Sequence, residues 1–231
     1  MYAYNKMSSA VYGRRLGFEP VTKRTTKPAA PRRGRPALSE ADRLAVRARI
    51  AEAAEELFRA DGYATVSIRK IAKAVGYTPM AIYRYYESKL EILQTLWGGV
   101  FASVFEEVEA VEPQADPTER LVAISTAYVG YWLDHPDHYR LVFMAEGVTQ
   151  PDVSLFVDDP ELVARFGVFV EALAQASARE LTGVEQKTKL DLLLCMLHGI
   201  AHNSVTISGY PWTAPGDLVR EGVRGLVAVR G

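Results

Sequence analysis

Residues 67–93, SIRKIAKAVGYTPMAIYRYYESKLEIL, decide the fold. Ile68, Ile71, Ala72 and Val75 recur at helical spacing, so a short helix from Ser67 to Ala74 packs one face inward. Gly76 ends it with a residue that tolerates a left-handed backbone. Thr78 then offers a hydroxyl cap, and Pro79 takes the first position of the next helix, where its missing N–H costs nothing. That second helix, from Pro79 to about Tyr85, turns Ile82 and Tyr86 inward. It leaves Thr78, Met80, Ala81, Tyr83, Arg84 and Tyr85 largely outward. Ser88 and Glu91 form a capping box for a third helix. Two short helices joined by a glycine turn read as a helix-turn-helix, whose second helix enters the DNA major groove.

The surrounding residues make the pattern more specific. From Arg49 to Trp97 the chain resembles the DNA-binding domain of the TetR/AcrR family of transcriptional regulators. The carriers are IAEAAEELFRADGYATVSIRKIA at 50–72 and AVGYTPMAIYRYYESKLEIL at 74–93. Gly76, Tyr83, Tyr86, Ser88 and Lys89 fall on the family pattern, whereas Tyr85 stands where many members place His. The resemblance implies a homodimer on a near-palindromic double-stranded DNA operator, and a C-terminal helical domain around a pocket for a small-molecule effector. Tyr83, Tyr85, Lys89, Thr65 and Ser67 are then the expected phosphate contacts, and Thr78, Met80, Ala81 and Arg84 face the bases. Of these, Arg84 is the one able to take guanine bidentately.

Charge is spread unevenly along the 231 residues, whose formal net charge is −1. Residues 1–97 hold 18 Lys/Arg against 9 Asp/Glu, and residues 98–231 hold 9 against 19. A polyanionic partner therefore belongs at the N-terminal end. Residues 1–38 alone carry 9 basic groups against Glu19, and residues 39–97 carry 9 against 8. Much of the nonspecific phosphate attraction must come from the arm. That arm shows no periodicity and is rich in Lys, Arg, Thr and Pro, which predicts disorder in the free protein. Within it Arg33-Gly34-Arg35-Pro36 resembles an AT-hook core, with Arg33 and Arg35 reaching along a minor groove; the competing reading is a solubilising tail. Either Met1 or Met7 could be the first residue.

The rest of the chain reads as all-α. Ser39 caps a first long helix to Ala60, with Asp42 three residues on and Leu44, Ile50, Ala54, Leu57 and Phe58 inward. A helix from Ser88 to about Val111 links the two halves. Further helices are expected from Asp116-Pro117 to His135, from Pro136 to Glu146, from Asp159-Pro160 to about Leu181, from Gln186 to about Ser208 and from Gly216 to Val229. Residues 147–158 read as loop. The domains expected are a basic arm (1–38), a helix-turn-helix DNA-binding domain (39–87) and a helical effector-binding and dimerisation domain (88–231). Stripes at Leu162/Phe166/Phe169/Leu173 and Leu190/Leu193/Leu194/Leu197/Ala201 suit either the family's four-helix dimer interface or an internal core.

Aromatic and sulfur side chains are abundant in the second half. The resemblance turns Trp97, Phe101, Tyr128, Trp132, Phe166 and Met196, with polar tips on Tyr128, His198 and His202, into the expected effector pocket. His198 and His202 are four apart and His135 and His138 three apart, spacings that can share a metal. No Glu follows His198 and no third ligand is indicated, so no metal or cofactor is expected. Cys195, in the run LLLCML, reads as a small core residue, and a single cysteine cannot form an internal disulfide. No apolar run is long enough to span a membrane, and the expected compartment is the cytoplasm. The sequence lacks a nucleophile elbow, a phosphate loop and an acidic metal cluster. It is therefore read as non-enzymatic, and the resemblance implies a ligand-released repressor. An activator or effector-independent DNA-binding protein is the alternative, and a metal hydrolase using the histidines a distant one.

Overall fold

The computed structural model describes residues 39–148 and 159–228. The arm bearing Arg33 and Arg35, and all but the first two residues of the loop at 147–158, lie outside them. The described residues form ten helices and no strand. They are α1 (Glu40–Asp61), α2 (Ile68–Val75), α3 (Pro79–Ile82), α4 (Lys89–Glu109), α5 (Pro117–Asp134), α6 (Pro136–Phe143), α7 (Pro160–Arg165), α8 (Gly167–Ala176), α9 (Gly183–Thr206) and α10 (Pro215–Ala228).

Local chemistry sets most of these boundaries. Ser39 and Asp42 make a reciprocal capping box on α1, and Gly62 ends that helix at φ 80°. The Ser67 hydroxyl accepts from Lys70 N–H at 3.3 Å to start α2. Gly76 closes α2 in the left-handed region at φ 74°, a conformation that disfavours any side chain. Thr78 caps α3 through Ala81 N–H at 3.2 Å. Asp116 and Asp159 cap α5 and α7, each followed by a proline.

Two apolar clusters organise the helices. Ile50, Ala54, Phe58, Val66, Ile71, Ile82, Tyr86, Ile92, Leu93 and Trp97 pack α1–α3 against the first half of α4. The second half of α4 (Val100, Val104, Phe105 and Val108) enters the other cluster, which α5 crosses with Leu121, Tyr128 and Trp132. Helices α8, α9 and α10 complete it with Phe169, Leu173, Leu193, Leu197 and Val223. One helix thus contributes to both cores. Trp97, in the first, donates its indole N–H to the Leu141 carbonyl at the end of α6, 3.0 Å away.

Several expectations are corrected. Helix α3 stops at Ile82 rather than Tyr85; the next three residues continue as turns, with Tyr85 N–H bonded to the Ile82 carbonyl at 2.8 Å. Leu44 is 58% exposed, because the first two turns of α1 extend beyond the cluster. The helix expected from Asp159 to Leu181 is broken at Phe166 and ends at Ala176. The next helix, α9, starts at Gly183 rather than Gln186, because Thr182 is its N-cap and Glu185 returns the capping box. At α4, Glu91 N–H bonds Ser88 as expected, but the Glu91 carboxylate reaches one residue further back, to Glu87 N–H. Both stripes on the later helices largely pack inside the chain: Phe169, Leu173, Leu193, Leu197 and Ala201 are buried, which is the internal-core reading. Cys195 points the other way and is exposed.

Candidate functional site

The short helix α3 presents a sharp contrast of faces. Ile82 is fully buried and Tyr86 nearly so, whereas Met80 is 75% and Tyr83 51% exposed. Thr78 and Arg84 are also exposed, and Ala81 is half-buried. Tyr85, expected to face outward, is half-buried and packs on the apolar cluster. Thr65 and Ser67 are exposed at the loop before α2, but both hydroxyls have local work. Thr65 donates to the Asp61 and Gly62 carbonyls, and Ser67 caps α2.

Lys89 departs from its expected role as an outward phosphate contact. Its ammonium donates to the Tyr63 carbonyl at 2.7 Å and the Val66 carbonyl at 2.9 Å. It also lies 4.0 Å from the centre of the Tyr63 ring. Burial pulls its pKa below the ordinary lysine value. Lys89 starts α4 beside the α1–α2 loop, so its side chain turns inward and staples that loop.

Arg47 makes a second staple that the sequence reading missed. Its guanidinium donates to the Tyr85 carbonyl, pairs with Glu91 at 3.0 Å and lies 4.0 Å from the centre of the Tyr86 ring. The Tyr86 hydroxyl donates back to the Arg47 carbonyl at 3.0 Å. Burial raises the Tyr86 pKa despite the opposing pull of Arg47. The signal was present: Arg47, Ile50, Ala54 and Phe58 lie on one stripe of α1, so a cation sits where the pattern asks for an apolar residue.

The residues expected to line an effector pocket divide. Trp97 belongs to the first cluster. Phe101, Tyr128, Trp132, Phe166 and His198 come together, joined by Phe143 from α6. Phe101 stands edge-on to Trp132 with centroids 5.8 Å apart, and Phe143 stands edge-on to His198 at 4.7 Å. Met196 is half-buried between α9 and α10, where its sulfur would lie 2.0 Å from a Cβ placed on Gly222. His202 is exposed. Of the eight, Phe101 lines a cleft of about 260 Å³ with Gly98, Leu162 and Arg165. A larger cavity of about 470 Å³ lies elsewhere, between the end of α1, the α1–α2 loop and α6.

Tyrosines partner three of the histidines. The Tyr128 hydroxyl is 2.9 Å from His198 Nε2, Tyr131 2.9 Å from His138 Nδ1 and Tyr139 3.3 Å from His202 Nδ1. His135 stacks on His138 with centroids 5.1 Å apart. Burial drives the His198 pKa down to about 4 and raises that of Tyr128, so near neutral pH a neutral phenol and an uncharged imidazole share this hydrogen bond, its direction set by the imidazole tautomer. Among the described residues no group of three or more His, Cys, Asp and Glu side chains is placed to hold a metal ion. No described helix is long and apolar enough to cross a membrane.

Comparison with known proteins gives this geometry a family. A sequence model of bacterial regulatory proteins of the tetR family matches residues 50–96. A second, of tetracyclin repressor-like C-terminal domains, matches residues 121–225. The chain belongs to the TetR family. The helix-turn-helix of α2 and α3 lies inside the stretch matched by the first of these models. The chain is 31% identical over 103 residues to the HTH-type transcriptional activator FasR of Mycolicibacterium smegmatis. That match takes in 44% of this chain and 47% of FasR, so it spans about half the length of that relative. The solved regulatory protein SCO4313 superposes with a TM-score of 0.64 at 19% identity, over 84% of this chain and 100% of its own. The TetR family regulator PfmR of Thermus thermophilus gives 0.54 at 20%, over 78% of this chain and 97% of its own. At such identities these two structures speak for the TetR fold alone.

Proposed function

We propose that the chain is a homodimeric, non-enzymatic repressor that reads a near-palindromic double-stranded DNA operator and leaves it when a small-molecule effector binds. The observation that carries this reading is the outward face of α3, held on a helix whose other face is locked into a core. Thr78, Met80, Ala81 and Arg84 meet base edges. Tyr83, Tyr85, Thr65 and Ser67 stand toward the phosphates. Lys89 acts one step back, by fixing the loop that carries Thr65 and Ser67. Residues 39–87 form the DNA-binding domain and residues 88–231 the effector-binding and dimerisation domain. The basic arm 1–38 adds phosphate affinity, with Arg33 and Arg35 in the minor groove. The regulator works in the cytoplasm.

Two copies are needed because a two-fold operator asks for a two-fold protein. With the apolar stripe of α9 used internally, the face left for a partner carries Val184 and Leu192, 78% and 55% exposed. An effector acts by favouring the dimer whose recognition helices no longer match the half-site spacing, so its differential affinity for the two states sets the loss of DNA binding. The activator reading has one observation in its favour, the partial match to a protein named an activator. A footprint on the DNA flanking the protein's own gene, followed by transcription in vitro, tests both. The repressor reading expects two protected half-sites about one helical turn apart over the promoter, with less transcript. Protection upstream of the promoter with more transcript would replace it by the activator, and no protection would sink both.

A further inference from the structure

We propose that Met80 reads a thymine methyl group in each half-site of the operator, and so fixes one base of the sequence that α3 prefers. This rests on the operator-binding reading above and deepens it by naming the base. Met80 is 75% exposed, more than any other large apolar side chain from α1 to α4. It stands on the outward side of a helix whose inward residue, Ile82, is fully buried.

The side chains around Met80 narrow what it can meet. Pro79 before it has no N–H, and Ala81 after it carries only a methyl group. The Thr78 hydroxyl oxygen is committed to the cap, accepting from Ala81 N–H at 3.2 Å. From Pro79 to Ala81 the side chains therefore offer no hydrogen-bond donor and no oxygen or nitrogen acceptor. Polar side chains resume at Tyr83 and Arg84, both exposed.

A helix-turn-helix lays the first residues of its second helix on base edges. In the major groove those edges present donors and acceptors, and the C5 methyl of thymine is the apolar exception. A thioether laid on an amino or carbonyl group displaces its water and returns no hydrogen bond, which is unfavourable. Laid on a methyl group, it buries apolar surface on both sides without that cost. Of the four bases, thymine is therefore the one that Met80 favours, while Arg84 keeps the guanine-reading role.

The test uses the full-length protein and a duplex that it selects from a random pool. Each thymine of that duplex is replaced in turn by deoxyuridine, which removes the methyl group and keeps every hydrogen-bonding edge. Burying one methyl group changes affinity roughly fourfold, so replacing both symmetry-related thymines should weaken binding roughly tenfold in gel shifts. Met80→Ala should bind the thymine and deoxyuridine duplexes equally, because the group that senses the methyl is gone. Its position outside the core predicts a native thermal melt, which circular dichroism checks. Arg84→Ala should bind both duplexes more weakly and keep the roughly tenfold ratio between them. Selection repeated with Met80→Gln, of similar length but with an amide that pairs with adenine, should no longer return thymine at that position. Native protein indifferent to every deoxyuridine, or a methyl dependence that persists in Met80→Ala, would overturn the proposal alone. A protein that selects no duplex would overturn it together with the operator reading, so the two failures are told apart.

Discussion

Acidification should unfold this protein in part through one histidine. His198 is largely buried against Tyr128 and Phe143, and burial drives its pKa from an ordinary 6.5 to about 4. The folded-state value is depressed, so between those two pH values the unfolded chain binds a proton that the folded chain refuses. Stability therefore falls as pH drops through 6.5 and stops falling on this account near 4, while above 6.5 the group contributes nothing. At 1.36 kcal/mol per pH unit the full loss is about 3 kcal/mol, an upper figure because partial hydration softens it. Lowered carboxylates also weaken the fold in acid: Glu185, held at about 2 first by Arg179, and Glu119, held down by Arg220 and Arg224. A variant separates the two. His198→Gln keeps an acceptor for the Tyr128 hydroxyl and cannot take a proton. Urea unfolding followed by circular dichroism from pH 7 to pH 4, at fixed protein concentration, should show the native protein losing about 3 kcal/mol more than His198→Gln. Parallel losses would mean that His198 is solvated or already charged in the fold, and the argument from burial would fail.

Arg84→Ala should weaken operator binding by about 1–3 kcal/mol and random DNA by less, in gel shifts at one salt concentration; equal losses would make Arg84 a phosphate contact. Light scattering at micromolar concentration should return twice the 25.6 kDa chain mass without DNA. Deleting residues 1–36 should flatten the plot of log K against log salt by roughly 0.9 per lost phosphate contact. Replacing Arg33 and Arg35 by Ala should remove a preference for A·T flanks without changing the core half-sites. Gly222→Ala should cost about 1 kcal/mol in thermal or urea unfolding despite the better helix former. The new Cβ would sit 2.0 Å from the Met196 sulfur, so adding Met196→Ala should remove that clash and show non-additivity.

The helix boundaries that were legible in the sequence are those written in caps. Ser39, Ser67, Thr78, Ser88, Asp116 and Asp159 each accept from a backbone N–H at a helix start, and each is a local signal. What was not legible is non-local. The stripe of α9 reads equally as core or dimer face, because periodicity gives a side and not the partner on that side. The break at Phe166 has no proline to announce it. Thr182-Gly183 looks like a stop until Glu185 is seen bonding back to the Thr182 N–H at 2.9 Å. The expected effector pocket drew on the abundance of large aromatic side chains in the second half. Composition cannot tell a lining ring from a packing one: Tyr128 and Trp132 are fully buried, whereas the cavity of about 470 Å³ is walled by α1 and α6.

The recognition helix shows why family motifs outrun propensity. Helix α3 has four residues, far below the dozen or so that a helix needs to persist alone in water. Its direction is therefore imposed by what holds its ends. Thr78 caps the start. Ile82 and Tyr86 anchor one side, each worth roughly 1.5–3 kcal/mol by burial. Arg47 binds the Tyr85 carbonyl just past its end and ties it to Glu91 on α4, while Lys89 fixes the loop before α2. The outward residues, which we propose meet DNA, are weakly constrained by the fold. The inward ones, with Arg47 and Lys89, are constrained strongly. The motif carried by Tyr83, Tyr86, Ser88 and Lys89 thus mixes two jobs, and the structure separates them. Tyr83 is free to touch the operator, and the other three aim it. Both staples lie outside α3, on α1 and at the start of α4, so what aims Arg84 is held by residues that are not on α3. A regulator built this way can be switched from outside its DNA-reading face.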